Sequence, residues 1–130
     1  MSKNSEMRTP LSRVRGLGAA KEGTEHFWLQ RLSAIALIPL IIWFVVSVAS
    51  LAGADYAEAR LFFDNPVSAI LMLLLLIVGF VHLKLGIQVI VEDYIHGEAL
   101  KISLLILNTL ICFGLGLACI FAVLKLSFGA

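Results

Sequence analysis

Apolar and polar positions divide the chain into a polar head followed by three long apolar runs. The first run extends from about Leu32 to Leu51, some 20 residues. At 1.5 Å rise per residue that length crosses a hydrocarbon core of about 30 Å. Pro39 lies within it, and in a bilayer helix a proline kinks rather than terminates. Residues 52–65 read as a short polar loop carrying Asp55, Glu58, Arg60 and Asp64. Pro66 then opens a second run to about Val91, at the helix position proline favours. A polar turn, E-D-Y-I-H-G-E at 92–98, leads to a third run from about Leu100 to Leu124. The expectation is an all-α membrane protein with three transmembrane helices over residues 31–126, behind a polar segment at 1–30. Pro10, Gly16, Gly18 and Gly23 are expected to interrupt any long helix in that head.

Composition agrees. Hydrophobic residues make up 60% of the chain and charged residues 15%, against about 25% charged in a soluble domain. Mean hydropathy is +0.98. A domain of 130 residues hides only about 60–70% of its unfolded surface, so the excess must face lipid or another protein. A net charge of +1 leaves no basic field for nucleic acid. The apolar stretch of a cleavable signal peptide does not follow the first basic residues, and Glu6, Glu22 and Glu25 disfavour a transit peptide. The head, with Arg31, holds six Lys/Arg, whereas the first loop holds only Arg60. The positive-inside rule therefore predicts an inner N-terminus and an outer C-terminus. Cys112 and Cys119 share one helix face without any CxxC or haem-attachment spacing, and read as small buried residues.

Ionisable residues at membrane depth mark functional sites by default. His82 stands nine residues before Val91, roughly 13 Å below the end of its run at 1.5 Å per residue. An imidazole cannot snorkel from there, so it needs a hydrogen-bond partner on a neighbouring helix or a metal or haem to ligate. Gly79, His82, Gly86, Val89 or Ile90, and Asp93 follow steps of three and four and share a face. Bare glycines beside the histidine leave room for a flat macrocycle, the better reading with a histidine between them; the alternative is close helix packing. Lys84, about 200° around from His82 at 100° per residue, reads as a snorkelling residue. Asp93 and Tyr94 reach the interface, where a tyrosine is an aromatic-belt residue or a hydrogen-bond donor to a quinone carbonyl.

The stretch H-L-K-L-G-I-Q-V-I-V-E-D-Y-I at 82–95 resembles the second-helix signature of succinate dehydrogenase hydrophobic membrane anchor subunits, H-x3-G-x6-D-Y, matched at His82, Gly86, Asp93 and Tyr94. G-T-E-H-F-W-L-Q-R-L-S-A-I at 23–35 is similar to the family's entry into its first helix. The resemblance implies that His82 is one axial ligand of a haem b. It implies that Tyr94, supported by Asp93, binds ubiquinone, and that Arg31 sits near the haem propionates. In some members a histidine near the start of the first helix also approaches the haem; the nearest candidate is His26, although Glu25 occupies the ungapped position.

A six-coordinate haem wants two axial ligands, and this chain offers one histidine at membrane depth. The haem is therefore expected to be shared with a companion cytochrome b anchor subunit. With neither a flavin-binding fingerprint nor an iron–sulfur cysteine set in the chain, succinate oxidation falls to flavoprotein and iron–sulfur partners. The expected location is a bacterial inner membrane, ahead of a mitochondrial one. The competing readings are the anchor of a quinol:fumarate reductase, or a non-redox transport or assembly subunit using His82 and Lys84.

Overall fold

The computed structural model describes residues 18–129, with side chains from Gly23 onward. It consists of four helices: α1 at Gly18–Ser50, α2 at Tyr56–Asp64, α3 at Pro66–Tyr94 and α4 at Glu98–Ser127. Three stretches are long and apolar enough to cross a membrane, Gly23–Ser50, Pro66–Tyr94 and Glu98–Ser127. At 28, 29 and 30 residues, they measure about 42–45 Å, enough for the hydrocarbon core and part of each headgroup layer. The polar segment before Gly18, with Lys3, Arg8, Arg13 and Arg15, lies outside the described residues.

Several boundaries differ from the sequence expectation. Helix α1 starts at Gly18 and runs straight through Gly23, so the expected interruption does not occur there. One glycine costs a helix only about 1 kcal/mol relative to alanine, too little by itself to end a long one. The boundary drawn at residue 30 therefore falls inside a continuous helix. The helix also continues through Pro39, which has no N–H to donate to the carbonyl one turn back.

The expected loop at 52–65 contains a helix. Asp55 caps α2 by accepting the Glu58 amide at 2.9 Å, while the Glu58 carboxylate accepts the Asp55 amide at 3.2 Å. This reciprocal capping box satisfies two donors that the first turn would otherwise strand. Gly53 turns the chain between α1 and α2 at φ +83°, a left-handed conformation that suits glycine. Asn65 caps α3 with a 3.0 Å bond from the Val67 amide, and Pro66 holds the first helical position. The turn expected at 92–98 shrinks to Ile95–Gly97, because α3 runs on to Tyr94.

The three long helices alternate in direction. The start of α1, the end of α3 and the start of α4 share one end of the bundle, and the two ends of the described chain lie at opposite ends. Helix α3 is central, packing against α1 on one side and α4 on the other, while α2 lies across the ends of α3 and α4. Trp43 stacks on Phe62 at 6.1 Å between centroids and ties α1 to α2.

The bundle is thin. Among the described residues no large side chain is fully buried, and Ile35, Val46, Phe113 and Phe121 are 63–69% exposed. Apolar side chains this open belong against lipid or a partner protein. The buried positions of α1 (Ser33, Leu37, Leu40 and Ser47) and of α4 (Asn108, Cys112, Gly116 and Val123) recur at helical steps and mark the two seams with α3. In the α3–α4 seam Asn108 Nδ2 donates to the Lys84 carbonyl at 3.0 Å, and the Cys112 thiol donates to Asn108 Oδ1 at 3.3 Å. Cys112 is buried and Cys119 half-buried, both as free thiols, in keeping with their reading as packing residues.

Candidate functional site

Helices α1 and α3 meet in antiparallel register through one face of each. Leu37 lies against Gly79, Ser33 against His82 and Gln30 against Gly86. Each turn forward on α1 thus pairs with one turn back on α3. The midpoint of this seam is polar. His82 Nδ1 and Ser33 Oγ are 2.9 Å apart, and the same hydroxyl donates to the Gln30 carbonyl at 2.9 Å. His82 Nε2 has no hydrogen-bond partner among the described residues. The half-buried ring borders an apolar groove between α1 and α3, lined by Leu37, Ile41, Leu76, Gly79 and Phe80.

The glycines flanking His82 have a different neighbour from the one expected. A Cβ on Gly86 would stand 3.6 Å from Gln30 Nε2, and one on Gly79 would stand 3.9 Å from Leu37 Cδ2. Both are ordinary contacts with α1, so the bare face beside the histidine receives a helix of the same chain. Close helix packing, the alternative the sequence left open, describes these glycines. Gly79 alone also borders the open groove.

His26 shares the seam side of α1, one turn before Gln30. Its Nε2 and Gln30 Oε1 are both buried without a hydrogen-bond partner. Seven residues separate His26 from Ser33, about 10 Å at 1.5 Å per residue. Arg31 is not brought to His82. It lies two residues from Ser33, about 200° around the helix, and its exposed guanidinium sits 5.2 Å from the centre of the Phe27 ring.

Asp93 and Tyr94 occupy the last turn of α3, at the bundle end where α1 begins. Tyr94 is 75% exposed, and no hydrogen bond joins the two side chains. The twelve-position step from His82 to Tyr94 corresponds to about 18 Å along the axis. Lys84 faces away from His82, lining a second apolar groove between α3 and α4 with Phe80, Cys112 and Phe113.

Sequence reasoning passed over Ser33, Gln30 and Asn108. Steps of 26, 30, 33, 37 and 40 along α1 do form a stripe, but polar and apolar residues alternate along it and weaken the signal. For Asn108 the signal was available: it is an amide in the middle of an apolar run, where a polar side chain needs a partner.

An imidazole with one ring nitrogen held by a hydroxyl and the other without a partner, in a ring that borders an apolar groove, has the donor chemistry that suits a haem iron. Among the described residues no cluster of three or more His, Cys, Asp or Glu could hold a metal ion.

Residues 5–123 match the family model described as succinate dehydrogenase/fumarate reductase transmembrane subunit. The succinate dehydrogenase hydrophobic membrane anchor subunit of Paracoccus denitrificans is 32% identical over 122 residues, 94% of each chain. Its counterpart in Rickettsia bellii (strain RML369-C) is 30% identical over 101 residues, 78% of this chain and 81% of that one. The succinate dehydrogenase membrane anchor subunit of Reclinomonas americana is 34% identical over 85 residues, covering 63% and 71%. With three apolar spans, the H-x3-G-x6-D-Y spacing and these relatives together, the chain belongs to the succinate dehydrogenase/fumarate reductase transmembrane subunit family, alongside the hydrophobic membrane anchors of succinate dehydrogenase.

Proposed function

We propose that this anchor gives His82 Nε2 as one axial ligand to a haem b held jointly with a companion cytochrome b anchor subunit. It also contributes Tyr94 to a ubiquinone site. Electrons from succinate oxidation on the flavoprotein and iron–sulfur subunits leave the complex through that site. The observation that carries this reading is His82 itself: at membrane depth, with Nδ1 engaged and Nε2 unpaired beside an apolar groove.

A haem held there would supply one-electron storage. Everything else is positional. The α1–α3 seam holds the imidazole ring, and Leu37, Ile41, Leu76 and Phe80 keep water from it. The exposed Tyr94 hydroxyl is free to donate a hydrogen bond to a quinone carbonyl where α3 reaches the interface, with the Asp93 carboxylate next to it in sequence. Arg31, exposed and turned away from the α3 seam, is available to a propionate from the side where a companion subunit would dock. His26 lies on the seam side with an unpaired Nε2.

The positive-inside rule, read from the basic residues early in the sequence, supports an inner-side Tyr94 in a bacterial inner membrane, where protons for quinone reduction are drawn. The relatives' names support succinate oxidation over the reverse reaction with fumarate.

Absorption spectra of the purified complex test the haem assignment. His82→Ala is expected to abolish the haem Soret band, and an unchanged spectrum refutes the assignment. Tyr94→Phe is expected to lower quinone reductase activity about 100-fold, the scale of a lost proton-delivering group, while succinate–dye activity persists. Loss of both activities, or of neither, refutes the quinone role.

A further inference from the structure

The Ser33 hydroxyl carries one hydrogen and stands 2.9 Å from each of two groups, the Gln30 carbonyl and His82 Nδ1. A carbonyl can only accept. Both contacts are satisfied together only when the serine hydrogen points to Gln30 and the serine oxygen accepts from His82. Nδ1 must then carry a proton, and in the neutral ring that ligates a metal Nε2 is left with its lone pair. That is the tautomer a metal requires at Nε2.

The acceptor is well anchored. Ser33 is buried in the α1–α3 seam, and its bond to a carbonyl three residues back along α1 ties its side chain to a rigid backbone. Leu37–Gly79 on one side and Gln30–Gly86 on the other hold the two helices in the register that sets hydroxyl against imidazole.

We propose that Ser33 is the positioning residue of the haem ligand: it fixes the tautomer and ring orientation of His82 and raises the donor strength of Nε2. This role rests on the haem reading above. An imidazole whose Nδ1–H is hydrogen-bonded gives more electron density to iron and favours the ferric state. Losing that bond weakens ligation and raises the midpoint potential.

The test uses the assembled complex with Ser33→Ala, Ser33→Thr and Ser33→Val. Threonine keeps the hydroxyl, and valine has the shape of threonine without it. Haem retention in competition with apomyoglobin and the haem midpoint potential are measured for each. Ser33→Ala and Ser33→Val are expected to lose haem affinity about 10–100-fold, the usual effect of removing a ligand's supporting hydrogen bond, and to shift the potential upward. Ser33→Thr is expected to match the wild type in both.

A merely structural serine predicts grouping by shape, with threonine and valine alike; that result, or a Ser33→Ala haem with unchanged affinity and potential, overturns the proposal. A wild-type complex without haem overturns the haem reading as well, so the two failures are distinguishable. Should the variants fail to assemble, the redox-difference infrared spectrum of wild-type complex labelled with 15N-histidine decides. A ligand ring whose Nδ1–H is hydrogen-bonded supports the role, and a ring protonated only at Nε2 overturns it.

Discussion

Asn108→Ala strips the α3–α4 seam of its one side-chain-to-backbone link between spans among the described residues. Asn108 is buried, donates to the Lys84 carbonyl at 3.0 Å and accepts from the Cys112 thiol at 3.3 Å. In a bilayer an interhelical hydrogen bond contributes about 0.6 kcal/mol on average and about 1.7 at most. The substitution also deletes three side-chain heavy atoms, and a handful of lost atom pairs at about 0.1–0.2 kcal/mol each comes to roughly 1 kcal/mol. The expected cost is about 1.5–2.5 kcal/mol. Asn108→Leu should cost less, about 0.6 kcal/mol, because it refills the space and the Lys84 carbonyl keeps its own helical bond. Both are measured by SDS-titrated unfolding of the purified complex in detergent micelles. An alanine variant as stable as wild type refutes the reasoning. So does a leucine variant as damaged as the alanine one, which would mean that the amide outweighs packing.

Three further substitutions probe the frame of the site. Gly53→Ala forces a side chain into a left-handed turn at φ +83°; the strain of about 1–2 kcal/mol should appear as a lower unfolding midpoint in the same titration. Gly116 tolerates alanine, whose Cβ would stand 3.5 Å from the Phe80 ring, but Gly116→Leu should push α4 off α3 and reduce the yield of assembled complex in membranes. Asp55→Ala removes the capping box of α2 at a cost of about 0.5–2 kcal/mol, and faster hydrogen exchange over Tyr56–Asp64 than elsewhere in the complex is the expected signature.

The spans were legible because the hydropathy of twenty successive residues is a local property that burial in lipid reads directly. Their ends were less so: Gly23 looked like a breaker, and α2 was read as loop although Asp55-x-x-Glu58 already held the signature of a helix start. In the site, His82 stood out because an imidazole at that depth is costly whatever surrounds it, and the spacing to Gly86, Asp93 and Tyr94 singled out its family.

What the chain determines alone, then, is three runs long enough to cross a bilayer, one histidine deep within the second and a tyrosine near its end. Tertiary structure decided which groups meet them. The glycines beside His82 receive α1, Arg31 turns away from the seam, and Ser33 takes Nδ1 and leaves Nε2 open. Helical periodicity gives the face on which a residue lies but not the rotation and register of the helix opposite. Those follow from packing two surfaces forty-nine residues apart in sequence, and no local pattern records them.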